Sequence, residues 1–339
     1  VFLALFCGNF AVLQSTLGLR ISAAGGRSRG YKSSVVRLNL ALAAACALWH
    51  VGHMKRWWGR KRHFLRLLIA GLLLFIMLRW FEHSQVYHPS RVMDATGAEL
   101  GRTFEDVYFR ADDGIELNGW YFPADTNLAR SSQVVLLCHG NGGNISHRLE
   151  MAQALLSTGV NVFLFDYRGY GRSKGSPSEA GTYQDGEAAY HWLERKGFAG
   201  KEILAYGESL GGGVAAELAT RLVIGGLILQ STFTSIPDIG AELFPWLPVR
   251  LLAKIKYDTM SKLPRVKVPL LVMHSRADTW IRYRHGQRNF AVANEPKLFC
   301  ELAGDHNDPL TDRSQFVADF EKFLRLTAEP RKQAATARE

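Results

Sequence analysis

An apolar run, 203–206, ends in Gly207-Glu208-Ser209-Leu210-Gly211, and an Ala-rich stretch, 214–222, follows at once. Few pentapeptides constrain a chain more. A strand has to stop and a helix has to start within five residues. The reversal is sharp enough that side chains at its two glycine positions would clash, and it lifts the serine hydroxyl above the end of the strand. The pentapeptide alone is a weak signal, since serine is common in turns. Its setting makes it specific: a strand-like run before it, a helix-like run after it, and a third glycine at Gly212.

The same alternation recurs along the chain. Strand-like apolar runs at 134–138, 160–166, 203–206, 226–230, 270–274 and 297–302 are separated by helical patterns at 145–157, 179–196 and 210–223. Continuous apolar strands alternating with helices mean an α/β protein whose sheet is mainly parallel and covered on both faces. Ahead of them, 107–110 and 116–122 flank the turn signal Ala111-Asp112-Asp113-Gly114, so the sheet opens with an antiparallel hairpin and has eight strands in all. The expected domain is 85–327, followed by a polar tail, 328–339. Residues 231–267 interrupt the alternation. Phe233, Ile236, Leu243, Phe244, Trp246, Leu247, Leu251 and Leu252 make this stretch too apolar for a plain loop, and it is expected to form a short lid over a substrate pocket that suits an acyl chain.

Two further residues follow Ser209 in the order needed to activate a hydroxyl. The run 270–274 leads into Ser275-Arg276-Ala277-Asp278, which sets a carboxylate just past a strand end. The run 297–302 leads into Ala303-Gly304-Asp305-His306-Asn307-Asp308, which sets an imidazole in the last long loop. Ser209 is the expected nucleophile, His306 the base that takes its proton, and Asp278 the acid that fixes the base's tautomer. Asp305 and Asp308 compete with Asp278, and His274 and His285 with His306. His139-Gly140-Asn141-Gly142-Gly143 follows the strand 134–138, and its glycines let main-chain N–H groups converge on one point. The N–H groups of Asn141 and Leu210 are the expected oxyanion donors. His139 itself is read as a brace for that loop.

His139-Gly140-Asn141-Gly142, Phe165-Asp166-Tyr167-Arg168-Gly169-Tyr170-Gly171-Arg172-Ser173, Gly207-Glu208-Ser209-Leu210-Gly211-Gly212 and Gly304-Asp305-His306-Asn307-Asp308 together resemble the Bem46-like branch of the α/β-hydrolases, over roughly 86–326. The resemblance implies an α/β-hydrolase fold and a membrane-anchored or membrane-associated serine hydrolase. Proteins of this type act as thioesterases on acylated proteins or as lipid esterases. The chain departs from the pattern near Asp278, with Ser275 where relatives usually carry Gly and Ile281-Arg282 where they usually carry Val-Pro.

Residues 67–78 are uninterruptedly apolar, and extension to 64–81 admits only Arg66 and Arg79 near the ends, where long cationic side chains reach the headgroups. About 18 residues suffice for a thin span. Lys55, Arg56, Arg60, Lys61, Arg62 and Arg66 precede it, which puts the N-terminal side in the cytoplasm and the hydrolase on the other side. A cleaved signal peptide is the rival, but Arg79-Trp80-Phe81-Glu82-His83 has no small-residue cleavage site. The segment 54–84 is therefore expected to be a basic flank plus signal-anchor. Stretches 1–13 and 35–51 are also apolar. Because Met54-Lys55-Arg56 resembles a chain start, 1–53 reads either as an upstream extension or as extra membrane segments.

The net charge of +10 is local to this region: residues 1–84 carry 12 Lys and Arg against one acid, leaving 29 against 30 beyond it. A nearly neutral domain gives no support to nucleic-acid binding. No phosphate-binding glycine motif follows a strand, Cys7, Cys46, Cys138 and Cys300 lack metal-ligand spacing, and no His-Glu-x-x-His occurs, so neither cofactor nor metal is expected. Cys138 and Cys300 fall on strands and read as core thiols. The reaction expected is cleavage of an ester or thioester. Amide cleavage by the same three residues, or a silent binding protein on the same fold, are the alternatives.

Overall fold

The structure, a computed structural model, describes residues 29–125 and 130–336. It divides into two compact units, 1–76 and 77–339. In the first, the described residues form one helix, part of α1 (Arg29–Val86). The helix runs unbroken through 35–51, where a separate membrane segment had been one reading; the stretch 1–13 lies outside the described residues. Among the described residues only Lys61–Val86 is long and apolar enough to cross a membrane, with a mean hydropathy of 2.1 in its most apolar window and none of that window buried.

The second unit is built on eight strands: β1 (Glu105–Arg110), β2 (Glu116–Phe122), β3 (Val134–Cys138), β4 (Asn161–Phe165), β5 (Ile203–Glu208), β6 (Gly226–Gln230), β7 (Leu270–Ser275) and β8 (Lys297–Leu302). Their order across the sheet is β8-β7-β6-β5-β3-β4-β2-β1. Only β2 runs against its neighbours, β1 and β4. The expected turn joins β1 to β2, with Gly114 at φ +82° donating its N–H to Ala111 O; a side chain is strained at that angle. Because successive strand residues point to opposite faces, Val134, Leu136 and Cys138 pack on one side, with α3 (Glu179–Lys196) and α4 (Gly211–Arg221). Val135 and Leu137 pack on the other, with α2 (Leu149–Leu156) and α9 (Arg313–Thr336). On α9, Phe316, Phe320 and Phe323 recur at helical spacing and are fully buried. Truncating Phe320 to Ala removes about 3–5 kcal/mol. The helix continues past Ala328, where a polar tail was expected, to Thr336.

Residues 231–269 connect β6 to β7 and contain α5 (Ile236–Leu243), α6 (Val249–Leu252) and α7 (Thr259–Lys262); α8 (Arg284–Val292) follows β7. Phe233, Tyr257 and Leu263 root the insertion in the core. Residues 253–258 have no regular structure, so their N–H groups need partners from elsewhere. Two carboxylates supply them for four of these residues. Glu82 accepts from Lys254 and Ile255, and Glu179 accepts from Lys256 and Tyr257.

Candidate active site

Ser209 stands between β5 and α4 with φ +52°, a left-handed conformation that costs a non-glycine residue about 1–3 kcal/mol. The flanking glycines are sterically required. A Cβ on Gly211 would lie 1.9 Å from the main-chain oxygen of Cys138, and one on Gly207 would lie 2.4 Å from Gly212 Cα. The hydroxyl is thereby held over the first turn of α4, where unpaired N–H groups favour negative charge.

The loops after β7 and β8 bring the other two side chains to it. His306 Nε2 lies 3.1 Å from Ser209 Oγ, and His306 Nδ1 lies 2.8 Å from Asp278 Oδ2. Asp278 is buried, and its other oxygen accepts the N–H groups of Trp280 (3.0 Å) and Ile281 (2.7 Å). Burial alone raises the pKa of this carboxyl. Hydrogen bonds from His274 and His306 and from the Ile281 N–H outweigh that and hold it well below the usual carboxylate range. With a carboxylate facing Nδ1, the proton sits on Nδ1 and Nε2 is left to accept from the serine.

None of the competing residues takes the place of Asp278 or His306 in this chain of hydrogen bonds. Asp305 accepts from Thr279 N–H, Thr279 Oγ1 and the His306 main-chain N–H, which ties the loop after β7 to the loop after β8. Ser275 Oγ donates to Gly304 O and makes a second tie. This gives Ser275 a role in joining the two loops. His274 is buried, with Nε2 facing Ile281 O at 2.7 Å and Asp278 Oδ2 at 3.4 Å, and His285 faces Thr234 and Glu242. Neither is hydrogen-bonded to Ser209 among the described residues.

Asn141 and Leu210 line the pocket beside Ser209, and among the described residues neither main-chain N–H donates to a protein acceptor. The loop carrying Asn141 is held on three sides. His88 N–H and Tyr170 OH donate to Asn141 O, His88–Pro89 pairs with Gly142–Gly143, and Asn141 Nδ2 donates to Val86 O. His139 braces the loop from within, its Nδ1 facing Gly140 O at 2.7 Å.

One supporting pair is not visible in the sequence. Arg148 donates to both oxygens of Glu208, at 3.0 and 2.9 Å, and a Cβ on Gly140 would lie 3.0 Å from Glu208 Oε1. Burial raises the Glu208 pKa, but the Arg148 charge lowers it further and keeps the group ionised. The residue before Ser209 therefore buttresses the loop that faces it. The only sequence signal was the acid at the second position of the pentapeptide.

These groups open into a cavity of about 1170 Å³. Phe81, Phe233, Ile236, Phe244 and Leu252 give it an apolar wall, and Ser209, His306 and Asn141 lie on its polar side. Among the described residues no cluster of His, Cys, Asp or Glu is able to hold a metal ion. Cys138 and Cys300 are buried thiols, both pushed up to about 12 by burial.

Residues 133–256 match the model of a family described as the alpha/beta hydrolase fold. An uncharacterised protein of Mycobacterium tuberculosis is 37% identical over 266 residues, covering 77% of this chain and 93% of its own. The alpha/beta hydrolase domain-containing protein WAV2 of Arabidopsis thaliana is 30% identical over 268 residues, covering 71% of this chain and 85% of its own. Protein bem46 of Schizosaccharomyces pombe is 38% identical over 188 residues, covering 53% and 62%. Among solved structures, the Pyrococcus furiosus esterase Pf2001 superposes with a TM-score of 0.60 at 22% identity, over 71% of this chain and 99% of that one.

Proposed function

The chain belongs to the Bem46-like branch of the α/β-hydrolases, and we propose that it is a membrane-anchored serine hydrolase that cleaves a carboxylic ester or thioester through an acyl-enzyme on Ser209. The observation that carries this reading is the unbroken hydrogen-bonded chain from Ser209 Oγ through His306 to Asp278, at 3.1 and 2.8 Å, on the wall of a large, partly apolar cavity.

In this mechanism Ser209 Oγ attacks the acyl carbon as its proton passes to His306 Nε2. The imidazolium that forms is stabilised by the Asp278 carboxylate, which stays ionised throughout. The N–H groups of Leu210 and Asn141 bind the oxyanion, each worth about 3 kcal/mol in the transition state. His306 then protonates the departing alcohol or thiol. A water deprotonated by the same nitrogen releases the acid. The apolar wall suits an acyl chain, and the esterase among the structural neighbours is consistent with an ester substrate. Lys61–Val86 serves as the anchor, with its basic flank on the cytoplasmic side.

Labelling with a fluorophosphonate tests the reading. The wild-type chain is expected to be modified at Ser209, and Ser209→Ala is expected to lose both the label and turnover of p-nitrophenyl acyl esters. Equal labelling of the two proteins removes Ser209 as the nucleophile.

A further inference from the structure

The insertion between β6 and β7 is apolar on both sides. Val249 and Leu252 of α6 line the cavity, whereas Leu251, between them, is 86% exposed, and Trp246 just ahead is 76% exposed. Large apolar side chains left this bare usually mark a surface that meets something other than water.

Three observations identify what covers them. The first is attachment. Arg79 donates to Leu252 O at 2.6 Å, the Phe81 ring packs edge-on against Phe244 at 5.6 Å, and Glu82 accepts from Lys254 and Ile255. Arg79, Phe81 and Glu82 lie in the last turns of Lys61–Val86, so the insertion is fastened at the point where the chain leaves a span. The second is composition. Residues 231–267 carry six Lys and Arg against three acids, and exposed Arg250 and Lys254 flank Leu251. Arg250 also pairs with Asp238. Trp together with Lys and Arg beside an apolar face is the composition of a membrane interface. The third is continuity of the cavity wall, to which Leu78 and Phe81 contribute alongside Val249 and Leu252.

We propose that the face carrying Trp246 and Leu251 seats in the surface of a lipid bilayer, so that the cavity takes its acyl chain from a lipid or acylated molecule resident in that bilayer. The docking surface rests on the anchor, and the substrate class rests on the serine-hydrolase reading above. Apolar side chains immersed beside the cavity spare the substrate a transfer through water, whose cost rises with every CH2 exposed.

The test uses the full chain reconstituted in phosphatidylcholine vesicles containing phosphatidylglycerol, with or without brominated acyl chains. Subtracting the emission of Trp246→Phe from that of the wild type isolates Trp246, and Trp192→Phe isolates Trp192 on α3 as the control. The expected result is loss of at least half of the Trp246 signal in brominated vesicles and little change for Trp192. Equal behaviour of the two tryptophans overturns the docking surface, including the case in which a second copy of the chain covers Trp246. In parallel, Trp246→Gln/Leu251→Gln is expected to hydrolyse a long-chain acyl ester carried in vesicles at least tenfold more slowly than wild type, with water-soluble p-nitrophenyl acetate unchanged. Equal rates on the vesicle substrate overturn delivery from the bilayer. If the wild type hydrolyses neither substrate, the hydrolase reading fails, while the quenching result still decides the docking surface.

Discussion

Replacing Asp278 by Asn probes the proposed acid with almost no change of shape. The buried carboxylate has two faces. Oδ1 accepts from the main-chain N–H groups of Trp280 and Ile281, and Oδ2 accepts from His306 Nδ1. An amide has one oxygen and one NH2, so its orientation has to satisfy one face or the other. Turning the NH2 toward residues 280 and 281 sets donors against two donors and costs about 1–3 kcal/mol for each lost bond. The amide oxygen therefore stays with the backbone, and the NH2 faces His306. His306 Nδ1 must then accept, its proton moves to Nε2, and Nε2 cannot take the proton from Ser209. If only the flipped amide supports turnover, a penalty of about 2–6 kcal/mol leaves an active fraction between about 1/30 and 1/25,000. Loss of the negative charge beside the imidazolium adds to this, so kcat is expected to fall by about 10³ to 10⁴, in line with the same exchange in serine-protease triads. The assay is kcat for a p-nitrophenyl acyl ester, with the thermal midpoint of each variant as the check on folding and Asp305→Asn as the comparison. A loss under tenfold in a folded Asp278→Asn protein, or a larger loss in Asp305→Asn, refutes the assignment of Asp278 as the acid.

Two further outcomes are expected. Burial pushes Asp166 up to about 7, and beside it His139, also buried, is pushed down to about 3; His139 Nε2 and Asp166 Oδ2 have no hydrogen-bond partner among the described residues. The folded protein thus retains a proton that the unfolded chain releases near pH 4, so this contribution to stability is complete below that pH and disappears as pH rises through about 7. The thermal midpoint of the wild type relative to Asp166→Asn is accordingly expected to drop between pH 5 and 8, and a constant difference contradicts the raised pKa. The cationic flank of the proposed anchor predicts that protease added outside sealed cells expressing the chain digests the hydrolase unit while sparing an N-terminal tag. Protection of the hydrolase unit until the cells are opened reverses the orientation.

The strands and the helices between them were legible in the sequence because their signal is local. Runs such as 226–230 and 297–302 coincide with β6 and β8, and 179–196 with α3. The strand-turn-helix around Ser209 was legible for the same reason, since glycines at 207, 211 and 212 encode a steric requirement within a few residues. The limits of the N-terminal segment were less clear, because composition marks an apolar stretch but not where helical hydrogen bonding stops. α1 accordingly runs from Arg29 to Val86, past both expected boundaries.

By itself the sequence determined a mainly parallel α/β sheet, an apolar segment long enough to cross a membrane, and which serine, aspartate and histidine to examine, all of which follow from periodicity, glycine placement and chain order. Only the tertiary structure decided which carboxylate meets His306. It alone showed that Arg148 holds Glu208 beneath the glycine loop, and that the end of α1 grips the insertion at Leu252 and Lys254. Those contacts join residues 28, 60 and 173 positions apart. Pairings at such separations follow from how the packed sheet brings its loops to one edge, which no local pattern along the chain encodes.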